Sequence, residues 1–409
     1  MNETRFSAEE KTKIYNFDYA VAMNRWSMRM IGLWPVDTGF SNFLCNISFT
    51  IMLICLLPPA AQLFATAKDL NSITNQIIRT VPFIPLMMRF ILIKMQTKNL
   101  RVILNSMIID WTNYRHLPEQ CRQIMNYYAR RGRLFTLTSI VFTTLSIIGY
   151  TLTPVMNTWL NNLPWNRTRE YLPNEGFFPF PVQGSPTFEL LYFLQASSLF
   201  LSGMVMTAVD CFLCIIVFHA CGQFDVLATA LQRYDCSFKH GCTQTRHTRS
   251  IVCACLPCIV KRHVHIINYM DIVERSFNVF IIIQIFGNCF DLAIEGYLFY
   301  MSFKSHDING IITCIIYLIT IAYNIVVYCW IGDCIIEKSD NIRTVAYNLE
   351  WYSFPRKHAL SIILIMARSR RPCKITSGRF HTMSFSYYKT VLTTLFSYIY
   401  LLLTLNNFR

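Results

Sequence analysis

The chain is 409 residues long, 53% apolar and only 15% charged, where a soluble domain is roughly 45–50% apolar and about 25% charged. That imbalance excludes a disordered chain and argues against a soluble one. A net charge of +14, from 37 basic against 23 acidic residues, would suit a nucleic-acid binder only if the basic residues shared one soluble face; they lie instead between long apolar runs, so no nucleic-acid partner is expected.

The stretch before Thr38 is polar, with no apolar run behind a basic start, so no cleavable signal peptide is expected and insertion falls to the first spanning helix. A bilayer span takes roughly 20 mostly apolar residues, and seven stretches qualify. The first runs from Thr38 to Ala67 without a charge, and the second covers about Ser72 to Ile93, interrupted by Arg79 and Arg89. The third runs from Leu134 to about Met156, and the fourth from just after Glu189 past Asp210 to about His219. The fifth, about Ser276 to Tyr300, carries Asp291 and Glu295; the sixth is Ile308 to Gly332, and the seventh about Phe385 to Leu405.

Lys and Arg in the loops set the orientation. Residues 1–37, 94–133, 219–272 and 333–383 carry 28 of them, and the alternate set of connections carries five. The expected fold is therefore an all-α membrane protein of seven transmembrane helices, N-terminus cytosolic and C-terminus extracellular. Patterning around Asp271, Glu274 and Arg275 beside Ile272, Val273 and Phe277 predicts helices that continue into the cytosol. The predicted organisation is a cytosolic N-terminus (1–37), six spans with their loops (38–332), a cytosolic loop (333–383) and a seventh span with a short outer tail (384–409). The outer segment 157–187 carries a glycosylation sequon at Asn166; a second, at Asn46, falls inside the first span.

Tyr328-Cys329-Trp330-Ile331-Gly332-Asp333, then Ala346-Tyr347-Asn348-Leu349-Glu350-Trp351-Tyr352, then Arg371-Pro372-Cys373, Thr376-Ser377-Gly378 and Met383-Ser384 resemble the C-terminal quarter of insect odorant receptors. Ser397-Tyr398 near the chain end, Arg262-His263 and Asp271-Ile272-Val273-Glu274 before the fifth span, and Ile31-Gly32-Leu33-Trp34-Pro35 before the first agree with this. The likeness is to the tuning subunits, hymenopteran ones among them. It implies a ligand-gated, non-selective cation channel subunit in the plasma membrane of a sensory neuron, among lipid, forming a hetero-tetramer with a shared co-receptor. In such channels the seventh helices line the pore and the cytosolic helix ends pack as an anchor. The chain lacks the co-receptor's large insertion in the second cytosolic loop. Gustatory relatives, the alternative within the superfamily, would show a Thr-Tyr start and a Gln-Phe ending in the last span, where here Tyr398 is followed by Ile399-Tyr400-Leu401. A G-protein-coupled receptor needs the opposite orientation, and a transporter commonly shows repeated halves and broken helices, which this chain does not.

By the resemblance, Leu401 and Leu405, four apart on one helical face with Thr404 beside them, are the pore gate, an apolar collar that excludes hydrated ions. A volatile ligand is expected in the outer halves of spans two to six, enclosed by apolar and aromatic surface with few polar anchors. The named residues are Phe83, Ile147, Tyr150, Thr151, Tyr192, Phe193, Ala196 and Tyr317. Charges inside a membrane are costly unless paired or watered, so Arg79 is expected to pair with Glu295 or Asp291 at the pocket wall. No outer loop holds a cysteine, so no extracellular disulfide is expected. Cys236, Cys242, Cys253, Cys255 and Cys258 with His240, His247 and His263 invite a zinc reading, but their spacing fits no standard finger and no metal is expected. No nucleophile elbow, phosphate loop or HExxH motif is present, so no enzyme activity and no cofactor are expected.

Overall fold

The computed structural model describes residues 8–35, 39–65, 77, 80–113, 117–160, 172, 176–182, 184–235, 255–391 and 393. Helix α1 (Ala8–Met30) closes on Gly32, whose φ of +71° only glycine takes without strain. The Leu33 amide donates to the Met28 carbonyl at 2.9 Å and the Gly32 amide to the Arg29 carbonyl at 3.1 Å, the paired bonds of a Schellman ending. A Cβ at Gly32 would lie 2.3 Å from the Cys45 backbone nitrogen, so the same glycine lets the turn lie against helix α2 (Gly39–Ala65). The Ile31-Gly32-Leu33-Trp34 motif is this turn, and Trp34 meets Phe212 edge-on at 5.9 Å.

Helices α3 (Phe83–Met95) and α4 (Thr97–Thr112) are separated by a break at Gln96. Four long helices follow, α5 (Glu119–Leu160), α6 (Thr187–Gln232), α7 (Leu256–Lys304) and α8 (Ile308–Tyr347). At 1.5 Å per residue each is about 60–75 Å long, twice the roughly 30 Å of a bilayer's hydrocarbon core. Each therefore carries the expected helical extension beyond its apolar part. Among the described residues five helices are long and apolar enough to cross a membrane: α2, α5, α6, α7 and α8. The seventh expected span runs largely, and the second in part, over residues outside the described set, with residues 385–391 and α3 as their described helical parts.

Helix α6 is the axis of the bundle. From Met204 to Leu231 it is buried on almost every side, and α1, α2, α5, α7 and α8 all pack on it. A helix apolar all round has no face for solvent and takes the core position.

After α8, a 3₁₀ turn (Trp351–Ser353), helix α9 (Arg356–Ser369) and a two-stranded ribbon, β1 (Thr376–Ser377) antiparallel to β2 (His381–Thr382), lead into the last helical segment. The ribbon turns through Gly378 and Arg379, both at positive φ. Glu274 on α7 pins it, accepting from the Thr376 amide at 3.0 Å and from the Thr376 hydroxyl, and the Gly378 amide donates to the Asn278 carbonyl at 2.9 Å.

The end of the bundle built by α4 and the extensions of α6 and α7 holds a buried polar network. Burial alone would raise the Asp110 pKa, but the imidazole N–H groups of His219 at 3.0 Å and His265 at 3.8 Å, with the Arg262 charge, hold it well below the usual carboxylate range. A carboxyl depressed in this way stabilises the fold above its unfolded value of about 3.9, and the contribution is lost only as pH falls through the folded value. Asp110→Asn is expected to cost about 1–3 kcal/mol between about pH 6 and pH 8, with the gap from wild type closing only below about pH 4. Melting of the purified protein over that range checks this; a gap that closed between neutral and mildly acidic pH would contradict it.

Candidate functional site

A cavity of about 190 Å³ opens among α3, α5, α6, α7 and α8. Each helix presents residues at three- and four-residue spacing, as one helical face must: Thr143, Ser146, Ile147 and Tyr150 from α5; Leu199, Ser202, Gly203 and Met206 from α6; Asn288, Asp291, Glu295 and Leu298 from α7; Tyr317, Thr320, Ile321 and Asn324 from α8. Phe83 and Leu86 of α3 complete the wall. An apolar cavity of about 150 Å³ already accepts benzene, so this one holds one molecule somewhat larger.

Four hydroxyl groups of the wall are spent on each other. The Ser146 and Thr320 hydroxyls bond at 2.8 Å and those of Thr143 and Thr207 at 2.7 Å, tying α5 to α8 and to α6. Two atoms differ: the Asn288 amide nitrogen and the Ser202 hydroxyl are buried with no hydrogen-bond partner among the described residues.

One helical turn beyond the wall, at Arg89, Asp210 and Tyr328, lies a buried charge cluster. Arg89 Nη2 donates to Asp210 Oδ1 at 2.7 Å, the Tyr328 hydroxyl donates to the same oxygen at 2.6 Å, and the guanidinium stacks over Phe280 at 4.6 Å. Both charged side chains are at most 5% exposed. The sequence reading placed Arg89 and Asp210 inside spans without joining them. The rule that an intramembrane charge needs a partner was the available signal, although it does not say which partner.

Of the residues expected to hold ligand, Phe83, Ile147, Tyr150, Glu295 and Tyr317 meet in this cavity. Thr151, Tyr192, Phe193 and Ala196 are not part of its wall. The Tyr192 hydroxyl donates to the Thr151 carbonyl at 2.6 Å, tying α6 to α5, and Phe193 is 72% exposed, turned away from the bundle. That corrects their placement: α6 faces the cavity from Leu199 onward. Arg79, the sequon at Asn166 and the gate residues Leu401, Thr404 and Leu405 lie outside the described residues, as do Cys236, Cys242, Cys253, His240 and His247. Cys255, Cys258 and His263 are on or beside the start of α7, and no group of three or more metal-ligating side chains occurs among the described residues.

The family described as 7tm odorant receptor matches residues 69–396. Odorant receptor 22c of Drosophila melanogaster is 27% identical over 63% of this chain and 63% of its own length, and the odorant receptor coreceptor of Anopheles gambiae is 21% identical over 45% of this chain and 38% of its own. The chain thus spans less than two thirds of either relative. In fold it is similar to the olfactory receptor OR5 of Machilis hrabei, described in complex with eugenol, at a TM-score of 0.80 and 16% identity over 96% of this chain and 99% of that one. These relatives are receptors rather than enzymes, and with five apolar helices of spanning length they make this a multi-pass protein of the plasma membrane. With the family match running from before α3 into the last helical segment, the chain belongs to the insect 7tm odorant receptor family.

Proposed function

We propose that this chain is the odorant-tuning subunit of a ligand-gated, non-selective cation channel that assembles with the shared co-receptor. The observation that carries the reading is the cavity: an enclosure of apolar and aromatic side chains with polar groups set among them, of a size for one small volatile molecule. Ligand held there contacts α8, and α8 is in backbone contact with the start of the last helical segment through Gly332 and Met383. A ligand that fits the cavity better in the open arrangement shifts the population toward it. In this reading Leu401, Thr404 and Leu405 form the gate, and the basic loops mark the cytosolic side.

Currents from cells expressing the chain with and without the co-receptor, challenged with a panel of volatile compounds, test the proposal. Odorant-evoked cation current that needs both subunits supports it; responses that survive only through G-protein signalling, or an N-terminal tag reached on intact cells, would sink it. Filling the cavity should act directly: Ile147→Trp is expected to raise the half-maximal concentration of any activating ligand by at least about tenfold, since the added ring takes the volume the ligand needs. Dose–response curves normalised to surface protein check this.

A further inference from the structure

Asp291 and Glu295 enter the cavity from one face of α7, one helical turn apart. No lysine, arginine or histidine is among the described residues of the wall. The guanidinium one turn beyond it, that of Arg89, is already bonded to Asp210 and covered by Phe280. Among the described residues the cavity is thus acidic without a cation of its own, Arg79 lying outside them, in a low-dielectric setting where a charge partner is worth far more than in water.

A second, independent observation concerns atoms with nothing to bond. Asn288, which lines the cavity, is 3% exposed and its Oδ1 already accepts from Gln284 at 2.9 Å, which leaves Nδ2 as a buried donor with no partner among the described residues. Ser202, which lines the cavity from α6 and is 7% exposed, likewise has a buried hydroxyl with no partner among the described residues. Buried polar groups ordinarily find partners, and a missing one marks the place of an absent ligand or water. Two acceptors for a cationic donor therefore stand beside two donors that lack an acceptor.

Resting on the reading of this cavity as the odorant site, we propose that it is tuned to small organic amines, above all those with an ether or hydroxyl oxygen close to the nitrogen. The ammonium donates to Asp291 and Glu295, the oxygen accepts from Asn288 and Ser202, and the carbon skeleton lies against Phe83, Ile147 and the neighbouring apolar wall. A carboxylic acid of the same skeleton would bring a third carboxyl to the pair and is excluded by like charge.

The test is a series that varies one group at a time: 2-phenoxyethylamine, 2-phenoxyethanol, phenoxyacetic acid and 3-phenylpropylamine, applied to cells expressing the full chain with the co-receptor. The amine is expected to act at a concentration about tenfold or more below the alcohol, with the acid weakest and the oxygen-free amine between amine and alcohol. The amine-to-alcohol ratio in each cell line is its own control for delivery and assembly, and it should collapse toward one in Glu295→Gln combined with Asp291→Asn. An alcohol as potent as the amine, or a ratio untouched by those substitutions, overturns the amine assignment and leaves the receptor reading standing. If no compound evokes current, melting of the purified receptor complex decides. Stabilisation by the amine beyond the alcohol supports the assignment while the channel reading fails, and equal or absent stabilisation overturns it.

Discussion

Arg89→Met is expected to leave little receptor at the cell surface. The substitution keeps most of the side-chain volume, so the loss comes from charge. Asp210, 4% exposed on the central helix, would keep only the Tyr328 hydroxyl as a partner among the described residues. Breaking a buried ion pair by removing one member costs about 3–5 kcal/mol, against a total stability of roughly 5–15 kcal/mol for a folded domain. The cost is felt at four helices together, because the cluster joins Arg89 of α3, Asp210 of α6, Phe280 of α7 and Tyr328 of α8. Removing both charges is a different perturbation, since an apolar pair of similar volume needs no hydration to be replaced. Arg89→Met with Asp210→Leu is therefore expected to recover much of the surface level that Arg89→Met alone loses. Surface labelling of the wild type, both single variants and the double variant completes the cycle. Near-normal delivery of Arg89→Met would mean that Leu86 and Phe90, not the ion pair, seat α3.

How far the sequence reaches follows from the same residues. Spans and their extensions are legible because they are local: α8 begins at Ile308, where the apolar run begins, with Asp307 accepting from the Gly310 amide as its cap. Faces are not legible in the same way. Lipid is as apolar as a protein core, so Phe193, turned outward, and Phe83, turned into the cavity, are alike in the sequence. Charge pairing is legible as a need but not as an address. Arg89 finds Asp210 across 121 residues, a choice made by helix packing that no local pattern encodes. The family motifs lie between these cases: Glu274 meets Thr376 and Gly332 meets Met383, each partner within another motif, while Tyr328 meets the charge cluster.

Gly332→Ala is expected to abolish most ligand-evoked current, and the reason is a distance. A Cβ at this position would lie 2.3 Å from the Met383 carbonyl oxygen and 2.9 Å from its carbonyl carbon, both backbone atoms. A flexible side chain could swing aside, but this backbone is held on both sides. The Met383 amide donates to the Ile375 carbonyl at 2.9 Å, and two residues on the Phe385 amide donates to Asp333 Oδ2 at 2.8 Å. Asp333 thereby caps the start of the last helical segment from α8, and Gly332 permits the close approach that lets it do so. The methyl must push the segment away, breaking the cap or tilting the helix, where overpacking alone costs about 1–3 kcal/mol. In the channel reading this junction passes ligand contact on α8 to the pore helix, so current should fall by at least about tenfold even in cells whose surface level is matched to wild type. Asp333→Asn, which keeps an acceptor at the cap, should lose far less. Recording both variants at matched surface density separates the outcomes: equal losses would assign the junction to folding alone, and full currents from Gly332→Ala would detach the last helix from α8 as the route of gating.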